Sequence, residues 1–442
     1  MQTETPPTPA PPADVHRYAP GEGPMTAGQW VRLGLLLAFF VFLYVTTGVW
    51  GLVIVGGLVA LITFHELGHY LSAKRSGMAV TEFFVGFGPR IWSIKRGETE
   101  YGLKVIPAGA YVRIIGMHNL EEVDPADEGR TYRQKPFTAR LFTVLAGVSM
   151  NFLLALVLIY VTLVGFGAHG GTIATKSPDT NWAVGSTSEG SGAREAGIRK
   201  GETILAIDGE RISSFDDVRD VVTSRSGKSV PVEVTDGTES RTVQVEIGDR
   251  KGKGFLGVTR AAAPVERVGA IAAVPQTFHE FGAITVASTQ ALGRFFSPSG
   301  LSNFAGQVAR SGEPAASQDS ATNAGAATSQ SSAQDEERLV SLFGIVQIGS
   351  QLGAAGWSTI LILFISINIF LGVVNLVPLL PFDGGHAVIA VYEKIQEVRQ
   401  RRQTRYFTDV AKLLPLTYAV VVLMGLIFIT TTYLDIASPM KL

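Results

Sequence analysis

The sequence contains no cysteine, and only 17% of its 442 residues are charged. Without cysteine the chain cannot form disulfide bonds or use a thiolate nucleophile, and any zinc ion must be bound through nitrogen and oxygen atoms. The formal net charge is -1, so no broad positive field is present and no nucleic-acid partner is expected. Hydrophobic residues, by contrast, make up 46% of the chain.

Several apolar runs are long enough to cross a membrane, which takes about 20 helical residues. The first two runs are separated only by Trp50 and Gly51, and could form a tight helical hairpin or one overlong helix. We favour two spans, since the combined run is nearly twice the length that one span needs. The five predicted spans are residues 33–49, 52–71, 141–166, 357–380 and 413–433.

The segments between the apolar runs suggest a division of the chain into membrane and soluble parts. Residues 1–29 are rich in proline, threonine and alanine and are predicted to be a disordered leader. Low-complexity residues 311–338 are predicted to be disordered as well. The remaining predicted parts are an N-terminal membrane core (30–166), a soluble domain (170–262), an extracytoplasmic connector (263–350) and a C-terminal membrane core (351–442).

Lysine and arginine are concentrated in two segments next to predicted spans, residues 74–140 and 392–412. Cytoplasmic loops carry an excess of these residues, so both segments are predicted to be cytoplasmic. Residues 170–350 then lie outside the cytoplasm. With five spans the N-terminus is inside and the C-terminus is outside.

Residues 65–69 read HELGH, an HExxH pattern inside the second apolar run. On a helix, His65 and His69 share one face and can bind one metal ion, with Glu66 close enough to act on its water. A chance match is the alternative. It is disfavoured because ionisable residues at membrane depth cost about 3 kcal/mol each and usually serve a function.

A zinc hydrolase needs a third protein ligand, and no acidic residue lies between His69 and Glu82. The best candidate is Asp383 in the segment NLVPLLPFDGG, residues 375–385. It could instead be a solvated Asp-Gly turn at a helix end. However, two prolines and Asn375 interrupt an otherwise apolar helix, and such a break at membrane depth is tolerated only where it is buried or lines a wet cavity.

HELGH in one predicted span and NLVPLLPFDGG in a later one resemble the site-2 protease family of intramembrane zinc metalloproteases. Several further segments resemble the bacterial branch of this family, which cleaves anti-sigma factors and similar single-span proteins. Two departures from the family pattern are Gly147-Val148 in place of Gly-Pro and Gly109-Ala110-Tyr111 in place of Gly-Gly-Tyr. The further similar segments are FVGFGP (84–89), TEYG (99–102) and PAGAYV (107–112), which resemble a membrane-associated β-hairpin region, and Ala146, Gly147 and Asn151, which resemble the start of the next helix.

The resemblance implies a role for each site residue. His65, His69 and Asp383 would bind Zn²⁺, and Glu66 would act as the general base and acid. Asn375 resembles the family's motif asparagine and would stabilise the oxyanion, although capping the helix break is an equal alternative.

The hairpin region, residues 81–113, suggests how a substrate binds. An unwound substrate could add to its edge as a strand, with Phe87, Gly88 and Tyr111 in contact with it. The alternative is an ordinary structural hairpin.

Residues 180–260 resemble a PDZ domain, through AREAGI (193–198) and KGETILAIDGE (200–210). A helix over residues 215–225 should pack Val218, Val221 and Val222 on the sheet. Residues 255–258 resemble the loop that captures a peptide C-terminus through backbone N–H groups.

The expected fold is therefore a polytopic α-helical membrane protein of four to five spans, with a membrane-associated β-hairpin region and one extracytoplasmic PDZ (α+β) domain. The expected function is that of a zinc metalloendopeptidase that cleaves single-span proteins in regulated intramembrane proteolysis. Its location would be the bacterial plasma membrane, with lipid around the spans and the active site near the cytoplasmic face. The alternatives are an inactive PDZ-containing membrane scaffold and a zinc transporter, which would need more intramembrane carboxylates and histidines.

Overall fold

The computed structural model describes residues 25–117, 121–169, 172–173, 183–250, 253–261, 265–311, 341–353, 356–400 and 405–437. Most of the two segments that were predicted to be disordered, 1–29 and 311–338, lies outside the described residues. The chain divides into a first unit, Met1–Met150 with Asp383–Pro415, and a second unit, Asn151–Phe382 with Leu416–Leu442.

The described helices are 4 to 49 residues long, and the described strands are 2 to 17 residues long. Helices α1 to α10 are Ala27–Arg75, Phe137–Val161, Gly192–Glu195, Phe215–Thr223, Ala270–Phe295, Pro298–Ser311, Leu342–Gly353, Trp357–Asn375, Asp383–Arg399 and Leu414–Ala437. Strands β1 to β12 are Val80–Arg96, Thr99–Ile114, Ala168–His169, Val184–Thr187, Thr203–Ile207, Glu210–Arg211, Ser229–Thr235, Ser240–Glu246, Gly248–Arg250, Lys253–Phe255, Val258–Arg260 and Val265–Glu266.

Four helices in the described part of the chain are long and apolar enough to cross a membrane. These helices confirm the prediction of a polytopic membrane protein. The count of four treats α1 as a single helix. The four segments are Ala27–Arg75, Phe137–Phe166, Trp357–Asn375 and Val410–Asp435.

Helix α1 is interrupted at Gly48, whose φ of 68° and ψ of -166° are not helical. Near its start, the Arg32 guanidinium donates to the carbonyl of Arg90 (2.7 Å), and near its end Lys74 pairs with Glu98 (2.5 Å). A straight helix would place Arg32 and Lys74 about 63 Å apart, whereas eight strand residues separate their partners by about 27 Å at most. The two segments of α1 must therefore fold back at Gly48, which favours the two-span interpretation of residues 33–71.

Strands β1 and β2 pair antiparallel, directly after α1 in the first unit. Both strands are bent, so residues 82–85 pair with 110–113 on one side and with 100–103 on the other. Gly86 and Gly88 lie at the bend with φ of 86° and 84°, a conformation that favours glycine. The hairpin predicted from the sequence is present, and residues 110–114 form an outer edge of its sheet.

An apolar cluster in the first unit joins α1 and the hairpin to α2 and α9. Buried Met78, Tyr132 and Val144 belong to one apolar cluster, against which Ala387 of α9 packs. Two 3-10 turns, Glu128–Arg130 and Tyr132–Gln134, lead from β2 into α2. The cluster therefore packs α1, β1, β2, α2 and α9 together next to the site described below.

In the second unit, α5 packs against α2 and α8 through a cluster that includes Ile159, Ala273 and Ile369. The sequence analysis did not predict α5 within the connector 263–350. Polar residues such as Gln276 and Glu280 interrupt its apolar pattern, so no long apolar run marks it. A π-helical turn, Thr162–Phe166, ends α2 before β3 pairs with β12.

Residues 183–250 and 253–261, also in the second unit, form a small α+β structure with its own apolar core. Its antiparallel sheet has the strand order β6-β5-β7-β8, and β4 pairs with β11. Val218, Val221 and Val222 of α4 are buried in this core, as predicted. The PDZ interpretation of this region stays a prediction.

Candidate metal centre

Both histidines of the HELGH segment lie in the second segment of α1, one helical turn apart. His65 and His69 are 6% and 8% exposed, and their ring centroids are 4.8 Å apart in an edge-to-face arrangement. The i, i+4 spacing puts them on the same face of the helix, as the sequence predicted. Their Nε2 atoms are 3.1 Å apart, so the two rings point at a common position.

Asp383, the first residue of α9, meets both histidines although it lies more than 300 residues away in the sequence. Its Oδ2 is 3.1 Å from His65 Nε2 and 3.3 Å from His69 Nε2. These three residues form the one cluster of potential metal ligands found in the described part of the chain. The structure therefore brings the start of α9 into contact with α1 at these two histidines.

The spacing of the three atoms fits a tetrahedral zinc ion. With metal–ligand bonds of about 2.05 Å, tetrahedral ligands lie about 3.3 Å from one another. The three observed separations are 3.1, 3.1 and 3.3 Å. Asp383 Oδ2 is moreover buried without a hydrogen bond, and a buried acceptor left in this state needs a cation or another partner. Three protein ligands leave the fourth position for water, as in catalytic sites.

The backbone of α2 orients one of the rings. His69 Nδ1 lies 2.8 Å from the carbonyl oxygen of the fully buried Thr143. Because a carbonyl only accepts, Nδ1 carries the proton and the Nε2 lone pair faces Asp383 and His65. Partners of this kind fix the tautomer of metal-binding histidines. The sequence analysis missed Thr143, since a backbone carbonyl leaves no mark in the residue type.

Two glycines allow α2 to approach the histidines. A Cβ atom at Gly68 would lie 2.4 Å from the Ala146 carbonyl oxygen, and one at Gly147 would lie 2.3 Å from His69 Nε2. Neither distance is compatible with a side chain. Gly68 between the two histidines and Gly147 in the next predicted span are both present in the sequence. Only the structure shows that they lie at the same contact between α1 and α2.

Glu66 is held at the edge of the hairpin sheet. Its Oε2 accepts the backbone N–H of Val112 at 3.1 Å. Val112 lies on the outer edge of β2, so this N–H points away from the rest of the sheet and towards α1. A groove of about 580 Å³ follows the same edge, lined by Glu82, Tyr111, Val112, Arg113, Ile114, Met117 and Glu121.

Asn375 ends α8 and belongs to the second unit, whereas His65, His69 and Asp383 belong to the first. Its Nδ2 donates to the Leu371 carbonyl at 3.1 Å. This contact lies in the last turn of α8, and the capping role stays a prediction. The oxyanion role of Asn375 stays a prediction.

Charged groups pair where α1 leaves its apolar segment. Burial raises the pKa of Glu98, but hydrogen bonds from Lys74 and Arg130 outweigh it and hold the pKa below its ordinary value. Nearby, hydrogen bonds from Arg133 and Gln134 lower the pKa of Glu128 to about 2. These ion pairs fix the turn of the hairpin and the segment that enters α2.

Membrane-spanning helices that bury a His-Glu-His pattern against a distant aspartate define the class of membrane-embedded zinc metalloproteases. The comparison with protein families agrees. The family model described as Peptidase family M50 matches residues 53–417, and the chain belongs to this family, the site-2 proteases.

Individual relatives carry the same activity in their names. The chain is 33% identical to the zinc metalloprotease Rip1 of Mycobacterium tuberculosis strain H37Rv over 414 residues, covering 86% of this chain and 95% of the relative. It is 30% identical to Rip1 of Mycolicibacterium smegmatis over 416 residues, covering 87% and 96%. It is 29% identical to the metalloprotease MmpA of Caulobacter vibrioides over 369 residues, covering 76% and 85%. The predicted family, the metalloprotease activity, the zinc cofactor and a multi-pass membrane location are thus confirmed.

Proposed function

We propose that this zinc metalloprotease is an intramembrane endopeptidase that cleaves single-span membrane proteins, with His65, His69 and Asp383 as its metal ligands. One observation carries the assignment of ligands: the three facing atoms lie 3.1 to 3.3 Å apart, the spacing of tetrahedral zinc ligands. The apolar helices around this cluster account for cleavage at membrane depth.

Each residue of the proposed site has a distinct task. When bound, the ion supplies Lewis-acid activation of water and of the scissile carbonyl. The Glu66 carboxylate accepts the proton of the attacking water and delivers it to the leaving amide nitrogen. The Thr143 carbonyl keeps the His69 ring in the tautomer that can bind the metal. Asn375 is the proposed donor to the oxyanion.

A helical substrate must unwind before cleavage, because its peptide groups are engaged in internal hydrogen bonds. We propose that the unwound segment adds as a strand to the edge formed by residues 110–114. The groove along this edge and the Glu66 contact at Val112 support this position. Phe87, 43% exposed, and Tyr111 stack at 6.0 Å between centroids, and together with Gly88 they are the proposed contacts for substrate side chains.

The proposed orientation places the hairpin and residues 392–412 in the cytoplasm of a bacterium, because both segments carry excess lysine and arginine. The metal centre then lies near the cytoplasmic face of the plasma membrane. In this arrangement the enzyme would act in regulated intramembrane proteolysis, on single-span substrates such as anti-sigma factors.

Residues 170–262 would form an extracytoplasmic PDZ domain in the same orientation. The antiparallel sheet and the packing of α4 on it support this proposal. Its loop at residues 255–258 is the proposed site for a peptide C-terminus.

The test is zinc analysis of the purified protein combined with cleavage of a model single-span substrate. Wild type should bind one zinc ion per chain, and Asp383→Ala should lose zinc and cleavage. Glu66→Gln should keep zinc and cleave at least about a hundredfold more slowly, because the general base is removed. His279→Ala, which changes an exposed histidine of α5, is the control and should resemble wild type.

Two results would contradict the proposal. Wild-type protein without zinc or cleavage would remove the assigned site. Normal cleavage by Glu66→Gln or Asp383→Ala would remove the assigned roles, and unchanged processing in a cell that carries Glu66→Gln would favour the inactive scaffold.

A further inference from the structure

A buried ion pair joins α2 to α9 in the first unit, away from the three clustered ligands. Arg140 Nη1 lies 2.5 Å from Glu393 Oε2, and the two side chains are only 6% and 4% exposed. Burying two charges costs several kcal/mol per ion unless geometry and further hydrogen bonds compensate. A buried ion pair with this cost needs a structural or functional reason.

The position of the pair on α2 connects it with His69. Arg140 lies three residues, about one helical turn, before Thr143, whose carbonyl accepts from His69 Nδ1. Gly147, which contacts both histidine rings, lies one further turn along the same face. The helix that orients the histidines thus carries Arg140 at its beginning.

On α9, Glu393 lies on the same face of the helix as Asp383 of the metal cluster. Asp383 is the first residue of the helix, and Ala387, Ala390 and Glu393 follow at spacings of four, three and three residues. Ala387 packs on the apolar cluster of the first unit and Ala390 is 1% exposed. Because a helix is rigid over this length, about 15 Å, fixing Glu393 constrains where Asp383 points.

The surroundings of the pair hold it in one geometry. Glu393 Oε1 accepts the backbone N–H of Thr408 at 2.8 Å, so both of its oxygens are engaged. The Arg140 guanidinium lies 6.0 Å from the ring centroid of Tyr132, whose side chain is buried in the apolar cluster. Rotation or sliding of α9 along α2 would break these contacts and leave a charge buried without a partner.

We propose that Arg140 and Glu393 are positioning residues, which lock α9 against α2 so that Asp383 reaches the position where the two histidines converge. A metal site tolerates ligand displacements of about 0.2 Å, so a small shift of α9 is sufficient to weaken it. This inference rests on the proposed ligand set of His65, His69 and Asp383. It adds two residues that touch neither the metal nor the substrate.

The experiment measures zinc affinity of the full-length purified protein by competition with a chromophoric chelator, together with its thermal midpoint. Glu393→Gln keeps the shape and the acceptor for Thr408 but removes the charge. We expect it to bind zinc about 10- to 100-fold more weakly than wild type while it is still folded at the assay temperature. Lys394→Gln removes an exposed charge from the next position of α9, and it should bind zinc as wild type does.

Arg140→Lys is the second variant, and it decides the matter if Glu393→Gln does not fold. It keeps the charge but loses the planar, five-donor geometry of arginine, so zinc affinity should fall severalfold. A lowered thermal midpoint with wild-type zinc affinity in either variant would show that the pair only stabilises the fold, and would overturn the proposal. Wild-type protein that binds no zinc would instead refute the ligand assignment, so the two failures are distinguishable.

Discussion

The imidazole of His69 lies directly against the backbone of Gly147, so that a Cβ atom at position 147 would be 2.3 Å from Nε2. The same atom would be 2.8 Å from Cε1 of His65. Helix α2 therefore contacts both rings at the side where they face Asp383. The space in which the three proposed ligands converge exists because residue 147 has no side chain.

Replacing Gly147 by alanine should lower zinc affinity at least tenfold, because the added methyl group displaces one or both rings. Alanine is about 1 kcal/mol more favourable than glycine within a helix, so loss of the helix would not explain this result. Isothermal titration or chelator competition measures the effect. Gly56→Ala, where a Cβ atom meets nothing within 4 Å, is the matched control in α1. Equal zinc affinity in the two variants would refute the close contact.

The N–H of Val112 should matter for cleavage and not for zinc. Val112→Pro removes the donor to Glu66 at an outer strand edge, where proline is tolerated. We expect the rate of substrate cleavage to fall about tenfold or more at unchanged zinc content, since the proposed general base loses the contact that orients it and the proposed substrate edge loses a donor. Val112→Ala keeps the N–H and is the control. If both variants cleave equally well, the contact does not orient Glu66.

Acid should weaken the segment that leads into α2. Hydrogen bonds from Arg133 and Gln134 lower the pKa of Glu128 from 4.5 to about 2. Since the folded-state pKa is the lower one, its contribution to stability is complete above about pH 4.5 and is lost as the pH falls towards 2. The thermal midpoint of wild type should therefore exceed that of Glu128→Gln at pH 7, and this difference should shrink at pH 3.

A pH-independent difference between wild type and Glu128→Gln would contradict this prediction. Glu122→Gln removes an exposed carboxylate from the same segment, and it should leave the thermal midpoint unchanged at pH 7.

The contact between α8 and α2 in the second unit leaves no room for a side chain at Gly372. A Cβ atom there would be 2.5 Å from Cε1 of Phe152, whose ring is itself packed edge-to-face on Phe281 at 5.3 Å. Gly372→Ala should lower the free energy of unfolding by about 1–3 kcal/mol through overpacking. Denaturation in detergent measures this change. Adding Phe152→Leu should restore part of the loss, whereas Gly425→Ala, with open space around it, should cost little.

Parts of the site could be predicted because they depend on local spacing and on the cost of burying charge. His65 and His69 lie on one face of any helix that contains them, and the broken apolar helix before Asp383 indicated a functional residue. The contact between Thr143 and His69 was not predictable in this way. It depends on the rotation and height of α2 relative to α1, which follow from packing at Gly68 and Gly147.

The same distinction applies to the fold. Long apolar runs indicated α1, α2, α8 and α10, since the membrane selects for length and hydropathy. Helix α5 was missed because it is stabilised by contacts with α2 and α8, through residues such as Ala273 and Phe281, and not by a continuous apolar sequence. The fold-back at Gly48 was left open by the sequence and is required by the contacts of Arg32 and Lys74.

The sequence by itself determined the kind of protein. It is an apolar chain without cysteine that carries an HExxH pattern in an early span and a second motif, NLVPLLPFDGG, in a late one. Tertiary structure decided which atoms meet. Asp383 reaches His65 and His69 across more than 300 residues of chain, and Gly147 and Thr143 complete the surroundings of the rings. The physical reason is that residue spacing controls geometry within one helix, whereas distances of about 3 Å between helices are set by close packing of many side chains at once.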